Sequence, residues 1–330
     1  MTKHNILSFG ELLLRLSSSG TSFLGEEGGV VVFPGGSEAN VAASLAQWGV
    51  SCGYLSRFPD NDLTAQAVST LTGLGVDVSP SLREGDRLGL YFLLSANGLT
   101  KGEVVYDRKY SAFSQLKPGM IPWDEVLDGY TWFHWSALTP ALNESLAAVC
   151  EEALMAAKAK GLTVSVDLNY RNRLWNYGKD PIEVMPALLQ YCDVVMGNIW
   201  AANKMLGTSV LDTLNRDTPT DVYFEHAKES AQEVFSRLPQ CQHVAYTFRF
   251  MDAATHNLLY GTYHTREADF MSAVNETHEV IDRIGSGDAF MAGLIYALTE
   301  ELGGQEVIDR ATAAGFKKLF VKGDFGNGNL

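Results

Sequence analysis

The sequence predicts an α/β protein in three layers, a mainly parallel sheet covered by helices on both faces, with a small β-sheet lid over its mouth. Three observations predict it. Short apolar runs alternate with helix-periodic runs along most of the 330 residues, the order expected of parallel strands joined by crossover helices. Two stretches break that alternation with extended, hairpin-like patterns. Two glycine-containing segments, one towards each end of the chain, open onto helices, and ligands of such sheets gather at the carboxyl ends of the strands.

Taken in order, Ile6 to Phe9 reads as the first strand, Glu38 to Trp48 as a helix, Gly53 to Arg57 as a strand and Leu63 to Leu74 as a helix. The alternation resumes with the strand Thr131 to Trp135, the Ala-rich helix Glu144 to Lys160, the strand Thr163 to Leu168, the helix Ile182 to Tyr191 and the strand Asp193 to Met196. Thr208 to Tyr223, rich in polar and turn residues, reads as an insertion. Phe290, Leu294, Leu298 and Leu302 recur every fourth residue and place an amphipathic helix there. The extended segments lie at about 12–33 and 88–112; the second holds Leu88 to Leu94, the turn pair Asn97-Gly98 and Glu103 to Tyr106. Asn-Gly between extended runs signals a hairpin because both residues tolerate positive φ. The two segments are expected to form an antiparallel lid, the alternative being an edge extension of the main sheet. Residues 1–330 then make one domain.

Hydrophobic content of 46% and charged content of 19% are those of a soluble globular protein. With 25 basic and 39 acidic residues the net charge is −14, which disfavours nucleic acid and acidic membrane surfaces as partners. The four cysteines, Cys52, Cys150, Cys192 and Cys241, are widely spaced without a metal-ligand pattern, as buried free thiols in a reducing compartment would be. No apolar run approaches the roughly 20 residues of a membrane span. A cytoplasmic location is expected.

The chemistry centres on Ile284-Gly285-Ser286-Gly287-Asp288-Ala289-Phe290, which puts Asp288 in the first turn of the amphipathic helix that runs through Phe290. Such an end exposes unpaired N–H groups and about half a positive charge, so it holds an anion where no bulky side chain blocks the approach. Gly285, Ser286 and Gly287 leave the approach open, and an ionised Asp288 can accept a proton from an alcohol held beside the same amides. That combination suits phosphoryl transfer to a hydroxyl; ordinary helix capping uses the same residue types. Near the other end, Phe33-Pro34-Gly35-Gly36-Ser37-Glu38-Ala39-Asn40 is a glycine pair opening a helix. Gly35 and Gly36 permit close approach to a polyhydroxylated ligand, and Asn40 can both donate and accept.

Gly35 to Asn40 and Asp282 to Phe290, about 250 residues apart, resemble the paired signatures of the ribokinase-like (PfkB-type) carbohydrate kinases, and the resemblance extends over nearly the whole chain. It implies a ribokinase-like fold with a β lid, ATP as donor, Mg²⁺, and Asp288 as base, with backbone amides around Gly285, Ser286 and Gly287 stabilising the transferring group. On the nucleotide side it places Asn169 and Asn198, with Gly285 and Gly287. Tyr91, Tyr106, Arg108 and Arg171 bring tyrosines and guanidinium groups that suit a substrate carboxylate. With Gly10-Glu11 and Lys322-Gly323-Asp324, they resemble the 2-keto-3-deoxygluconate kinase branch. The resemblance implies Tyr91, Tyr106, Arg108, Arg171 and Asp324 as substrate contacts, beside Gly35, Gly36 and Asn40; Arg173 reads as surface.

The departures lie on the nucleotide side. Ala201 stands three residues after Asn198, where the family usually has an acid serving water-mediated Mg²⁺ binding, so no residue is assigned to the metal. His243 to Phe250 lacks the usual glycine-containing turn; Thr247 and Arg249 are the candidates to replace its contacts. The expected activity is phosphorylation of the 6-hydroxyl of 2-keto-3-deoxygluconate, a small-molecule sugar acid. The alternatives are a neutral-sugar kinase of fructose or ribose type, and a non-catalytic sugar-binding protein. A homo-oligomer is expected, with dimerisation through the lid and closure of the lid on its own domain as the two arrangements.

Overall fold

The computed structural model describes residues 4–18, 23–24, 28–94 and 104–329. The first half contains β1 (Asn5–Phe9), β2 (Leu13–Ser18), β3 (Val30–Gly35), α1 (Ser37–Gln47), β4 (Ser51–Leu55), β5 (Arg57–Phe58), α2 (Asp62–Gly73), β6 (Leu82–Arg83), β7 (Gly89–Leu93), β8 (Val104–Asp107), α3 (Trp123–Val126), β9 (Trp132–Ser136) and α4 (Glu144–Ala159). There follow β10 (Thr163–Asp167), α5 (Pro181–Leu189), β11 (Val194–Gly197), α6 (Ile199–Leu206), α7 (Thr220–Arg237), β12 (His243–Phe250), β13 (Asn257–His264), β14 (Asp269–Met271), β15 (Asn275–Thr277), α8 (Ser286–Thr299) and α9 (Gly304–Lys318).

The main sheet has the order β14-β13-β12-β11-β10-β9-β1-β4, with β15 paired to β13. From β4 to β12 every pairing is parallel, and β13, β14 and β15 add antiparallel strands at one edge. The alternation of side chains explains the three layers. Leu7, Phe9, Phe133, Trp135, Val164 and Val166 face α4 to α7 in one buried cluster. Ile6, Trp132, Val194, Met196 and Ala245 face α1, α2, α8 and α9 in the other. All four cysteines are free and buried in these two layers, as expected.

A separate four-stranded sheet, β3-β2-β7-β8, forms the lid. It corrects the antiparallel expectation in one respect: β2–β3 and β7–β8 are antiparallel, but β2 pairs with β7 in parallel. The two strands come from distant parts of the chain, so no turn dictates their relative direction. The extended pattern also stops sooner than expected, since β8 ends at Asp107 and residues 108–112 form no strand. Asn97-Gly98 and Glu103 lie outside the described residues. The strand expected at Gly53 to Arg57 is β4, two residues earlier, and Arg57 and Phe58 pair instead with β6. In the expected insertion, 208–219 carries no helix or strand and α7 begins at Thr220.

Candidate active site

A cavity of about 630 Å³ opens between the lid and the carboxyl ends of β10, β11 and β12. It brings together Gly36, Asn40, Tyr91, Tyr106, Arg108, Asn169, Arg171, Asn198, Thr247, Arg249, Gly285, Ser286, Gly287, Asp288 and Asp324. Of the residues singled out from sequence, only Gly35 stays behind the wall.

Asp288 sits in the first turn of α8, half-buried against the cavity. Its Oδ1 accepts from Ser37 Oγ at 2.7 Å and its Oδ2 from Asn40 Nδ2 at 2.6 Å. Asn169 Nδ2 in turn donates to Ser37 Oγ at 3.0 Å. Burial pushes the Asp288 pKa above the ordinary carboxylate range, and the bonds from Asn40 and Ser37 oppose that rise. Two side-chain bonds leave lone pairs on both oxygens for an incoming hydroxyl. Gly285, with φ at 84°, starts the helix, and a Cβ there would lie 2.3 Å from the Asp324 carbonyl oxygen. At Gly287 a Cβ would meet nothing within 4 Å, so this residue faces open cavity. Ser286 donates its hydroxyl to the Gly315 carbonyl at 2.9 Å and offers the site only its backbone.

The lid supplies one cross-strand row. Register pairs Arg15 with both Phe33 and Tyr91, and Tyr91 with Tyr106, so these four side chains share a face. Tyr91 Oη donates to Asp324 Oδ1 at 2.7 Å, and Arg15 Nε lies 2.8 Å from Asp324 Oδ2. The terminal nitrogens of Arg15 donate to both oxygens of Asp282, at 3.2 and 2.7 Å. Lys318 Nζ donates to the Gly323 and Val321 carbonyls at 2.8 and 3.0 Å. Asp324 is therefore fixed in a buried network at the cavity wall, and desolvation lifts its pKa to about 6 against the pull of Arg15. Gly35 serves this network: a Cβ there would fall 2.4 Å from Asp324 Oδ1. Gly36 has φ at 144°, and its Cβ would lie 2.3 Å from the Glu11 carbonyl oxygen.

Arg108 is buried with its Nε on Glu11 Oε2 at 2.6 Å, and Ser111 donates to the other oxygen of Glu11. Arg171 is exposed at the cavity and bonds the Tyr170 carbonyl at 3.2 Å. Arg173, read as surface, is exposed but also lines the cavity, with Nη1 donating to the Val104 carbonyl at 2.8 Å. On the opposite side, Asn198 caps α6 by accepting from Ala201 N–H at 2.9 Å, and Thr247 Oγ1 donates to the Gly197 carbonyl at 3.3 Å. Arg249 is exposed where it lines the cavity, and the surrounding protein atoms, with the charges of Arg171 and Arg283, lower its pKa. Guanidinium groups crowded until they repel one another mark a place suited to an anion.

Sequence reasoning missed Ser37, Arg15 and two buried acids. Glu38 accepts from Ser136 beneath Gly10, and Asp167 lines the cavity while accepting from Asn169 N–H at 2.9 Å. Desolvation raises each to about 7, and the nearby Asp288 charge adds to both shifts. The signals were present: Ser37 and Glu38 stand inside the first signature, Asp167 precedes Asn169 by two, and Arg15 interrupts the apolar run Leu12-Leu13-Leu14-Arg15-Leu16.

The model of the pfkB family of carbohydrate kinases matches residues 3–324. The 2-dehydro-3-deoxygluconokinase of Bacillus subtilis is 25% identical over 88% of this chain and 81% of its own. The 2-dehydro-3-deoxygalactonokinase of Haloferax volcanii is 30% identical over 65% of each chain, so the match spans less than two thirds of that relative. Among solved structures, the 2-dehydro-3-deoxygluconokinase of Thermotoga maritima superposes with a TM-score of 0.88 and 36% identity, covering 98% of this chain and 95% of that one. The ATP-bound fructokinase of Xylella fastidiosa, at 20% identity and a TM-score of 0.75 over 98% and 94% of the two chains, shares the fold.

Proposed function

This chain belongs to the pfkB family of ribokinase-like carbohydrate kinases, phosphotransferases with an alcohol acceptor, and on that premise we propose that it transfers the γ-phosphoryl group of ATP to the 6-hydroxyl of 2-keto-3-deoxygluconate. The observation that carries the reading is the Asp288 carboxylate, held by Ser37 and Asn40 at the open N-terminus of α8, in a cavity that also presents Arg108 and Arg171. The names of the Bacillus and Thermotoga relatives support an acidic acceptor.

In this mechanism the acceptor lies between lid and sheet with its carboxylate towards Arg108 and Arg171, and the hydroxyl at its far end reaches Asp288. Asp288 takes the hydroxyl proton as the oxygen attacks the γ-phosphorus and the bond to the β,γ-bridging oxygen breaks to release ADP, and the backbone at Gly285 to Gly287 with the helix dipole stabilises the charge on the phosphoryl oxygens. Tyr91 and Tyr106 close over the acceptor and exclude water, the competing nucleophile. The polyphosphate fits the side lined by Arg249, Arg283, Thr247 and Asn198, whose cationic character is unusual in a chain of net charge −14. Among the described residues no cluster of three metal-binding side chains lines the cavity. Mg²⁺ would enter with the nucleotide, Asp167 would be the carboxylate placed to hold it, and the ion would supply neutralisation of the phosphate charge.

A neutral sugar is the second reading, because the buried Arg108 already has its charge matched by Glu11 at 2.6 Å. A panel of sugars and sugar acids, tested for ATP-dependent ADP release with Mg²⁺, separates the two. Turnover of 2-keto-3-deoxygluconate well above fructose and ribose supports the first reading, and the reverse order overturns it. Calorimetry showing no ATP binding would instead favour a non-catalytic sugar-binding protein. For assembly we favour a homodimer through the lid, since its outer row Val32, Leu16, Phe92 and Val105 is apolar, with Val32 49% and Val105 41% exposed. No described helix is long and apolar enough to cross a membrane; a cytoplasmic location is part of the same proposal.

A further inference from the structure

A second polar cluster stands apart from the cavity, at the edge where β13 meets β15. Asn257 at the start of β13 pairs with Thr277 at the end of β15, and Leu258 pairs with Glu276. That register sets His256, just before β13, opposite His278, just after β15. Glu276 and His278, two residues apart, fall on one face of their segment. The consequence is direct: His256 Nε2 lies 2.8 Å from Glu276 Oε1, the two imidazole rings are 4.7 Å apart, and one ligand-type atom from each of the three residues lies within 4.8 Å of the others.

We infer that His256, Glu276 and His278 bind one divalent transition-metal ion of the zinc class, clipping the 251–256 loop to β15. Two imidazoles and a carboxylate are the donor set of such ions, with a fourth position left to water. Hard Mg²⁺, which prefers oxygen ligands, is a poor competitor for it. The arrangement around His256 is that of a supported ligand. The ring is buried while Glu276 and His278 are exposed and free to adjust towards an ion. Behind it, Asp252 Oδ2 lies 3.3 Å from Nδ1, and Arg216 holds that carboxylate with bonds of 3.0 to 3.1 Å. A carboxylate behind a histidine orients the ring and raises its basicity. Without metal, the Asp252 N–H points to Nδ1 at 3.1 Å, so Nε2 carries the ring proton and donates to Glu276. With a metal on Nε2 the ring proton would sit on Nδ1 and donate a hydrogen bond to the Asp252 carboxylate, which would replace the bond from the Asp252 N–H.

The loop clipped in this way is not idle. Arg283, which lines the cavity, donates through Nη2 to the carbonyls of Ala253 and His256 at 3.0 and 2.6 Å. An ion on His256 would therefore stiffen the support of a cavity-lining guanidinium.

The test uses the full chain, stripped with a chelator, and ZnCl₂ or CoCl₂ as the probe at neutral pH. Calorimetry should give one equivalent of Zn²⁺ bound, Co²⁺ should develop visible d–d absorption, and Zn²⁺ should raise the unfolding temperature. Glu276→Gln and His278→Ala, both at exposed positions, should each weaken binding at least about tenfold and remove the Zn²⁺-dependent thermal shift. Absence of stoichiometric binding in the unsubstituted chain, or wild-type affinity in either variant, overturns the inference.

Discussion

Asn40 and Asp288 lie 248 residues apart in sequence and 2.6 Å apart in space, Nδ2 donating to the carboxylate. This contact joins the two glycine-containing segments into one site and gives Asn40 an electrical role. A donor to the ionised form lowers a carboxylate pKa, and burial here pushes the other way. In Asn40→Ala the Asp288 pKa should rise further, so the acid limb of the kcat–pH profile moves to higher pH. A bond to a charged group contributes about 1.5–3 kcal/mol, or about one to two pH units of displacement. An unmoved limb would show that the group titrating in the profile is not Asp288.

Asp288→Asn keeps the shape of the side chain and removes the proton acceptor. The rate should fall by about 10²–10⁴, the range attributed to general base catalysis, while acceptor binding measured by calorimetry persists. A variant that retains its rate would exclude Asp288 as the base.

Glu38 should make the chain less stable as pH rises. Its folded pKa, about 7, lies above its ordinary value of 4.5. The folded state therefore holds the proton more tightly, and the stability contributed is complete below about pH 4.5 and lost as pH rises through 7. Glu38→Gln removes the titration and keeps an acceptor for Ser136. Relative to the unsubstituted chain, the variant should gain stability between pH 5 and pH 8, by at most about 3 kcal/mol. Urea denaturation at the two pH values checks the sign.

Much of this arrangement was legible because it rests on local pattern. Alternating apolar runs revealed the layers, and Gly285 to Asp288 announced a helix start whose small residues left room for a ligand. What escaped was set by long-range pairing. Nothing local to Leu13–Ser18 or Gly89–Leu93 says that β2 and β7 run parallel, since the direction follows from where the two chains leave the main sheet. The resemblance named Asp324 as a substrate contact, and it does line the cavity, but nothing local revealed that Arg15 and Tyr91, 309 and 233 residues away, hold its carboxylate there. The His256 cluster was invisible for the same reason, because only the β13–β15 register brings its members together.

Arg15 pairs with both Asp282 and Asp324, and all three are buried. Arg15→Met removes from two acids in a dry site the guanidinium paired with both and leaves only the more distant charge of Lys318, a change that costs about 3–5 kcal/mol when a buried pair is broken. Asp324 should then be protonated over a wider pH range, since Arg15 is the largest of the influences, with Tyr91 and Lys318, that hold its pKa down. Adding Asp324→Asn to Arg15→Met should recover part of the lost stability, because the second substitution removes one uncompensated charge. Urea midpoints of the two single variants and the double variant test this; strictly additive losses would contradict the coupling.

Gly285 and Gly287 are two residues apart and should fail differently when each becomes alanine. At Gly285 the φ of 84° is unfavourable for any L side chain by about 1–2 kcal/mol, and the new Cβ would press on the Asp324 carbonyl at 2.3 Å, a backbone atom that cannot rotate away. Gly285→Ala should lower both the unfolding temperature and activity. At Gly287 the Cβ would enter open cavity inside the first turn of α8, where alanine is the better helix former by about 1 kcal/mol. Gly287→Ala should therefore fold at least as stably as the unsubstituted chain and still lose activity, because the methyl group occupies the approach to the helix N-terminus. Thermal melts beside a coupled assay distinguish the two, and full activity in Gly287→Ala would mean that the transferred group does not dock at this end of α8.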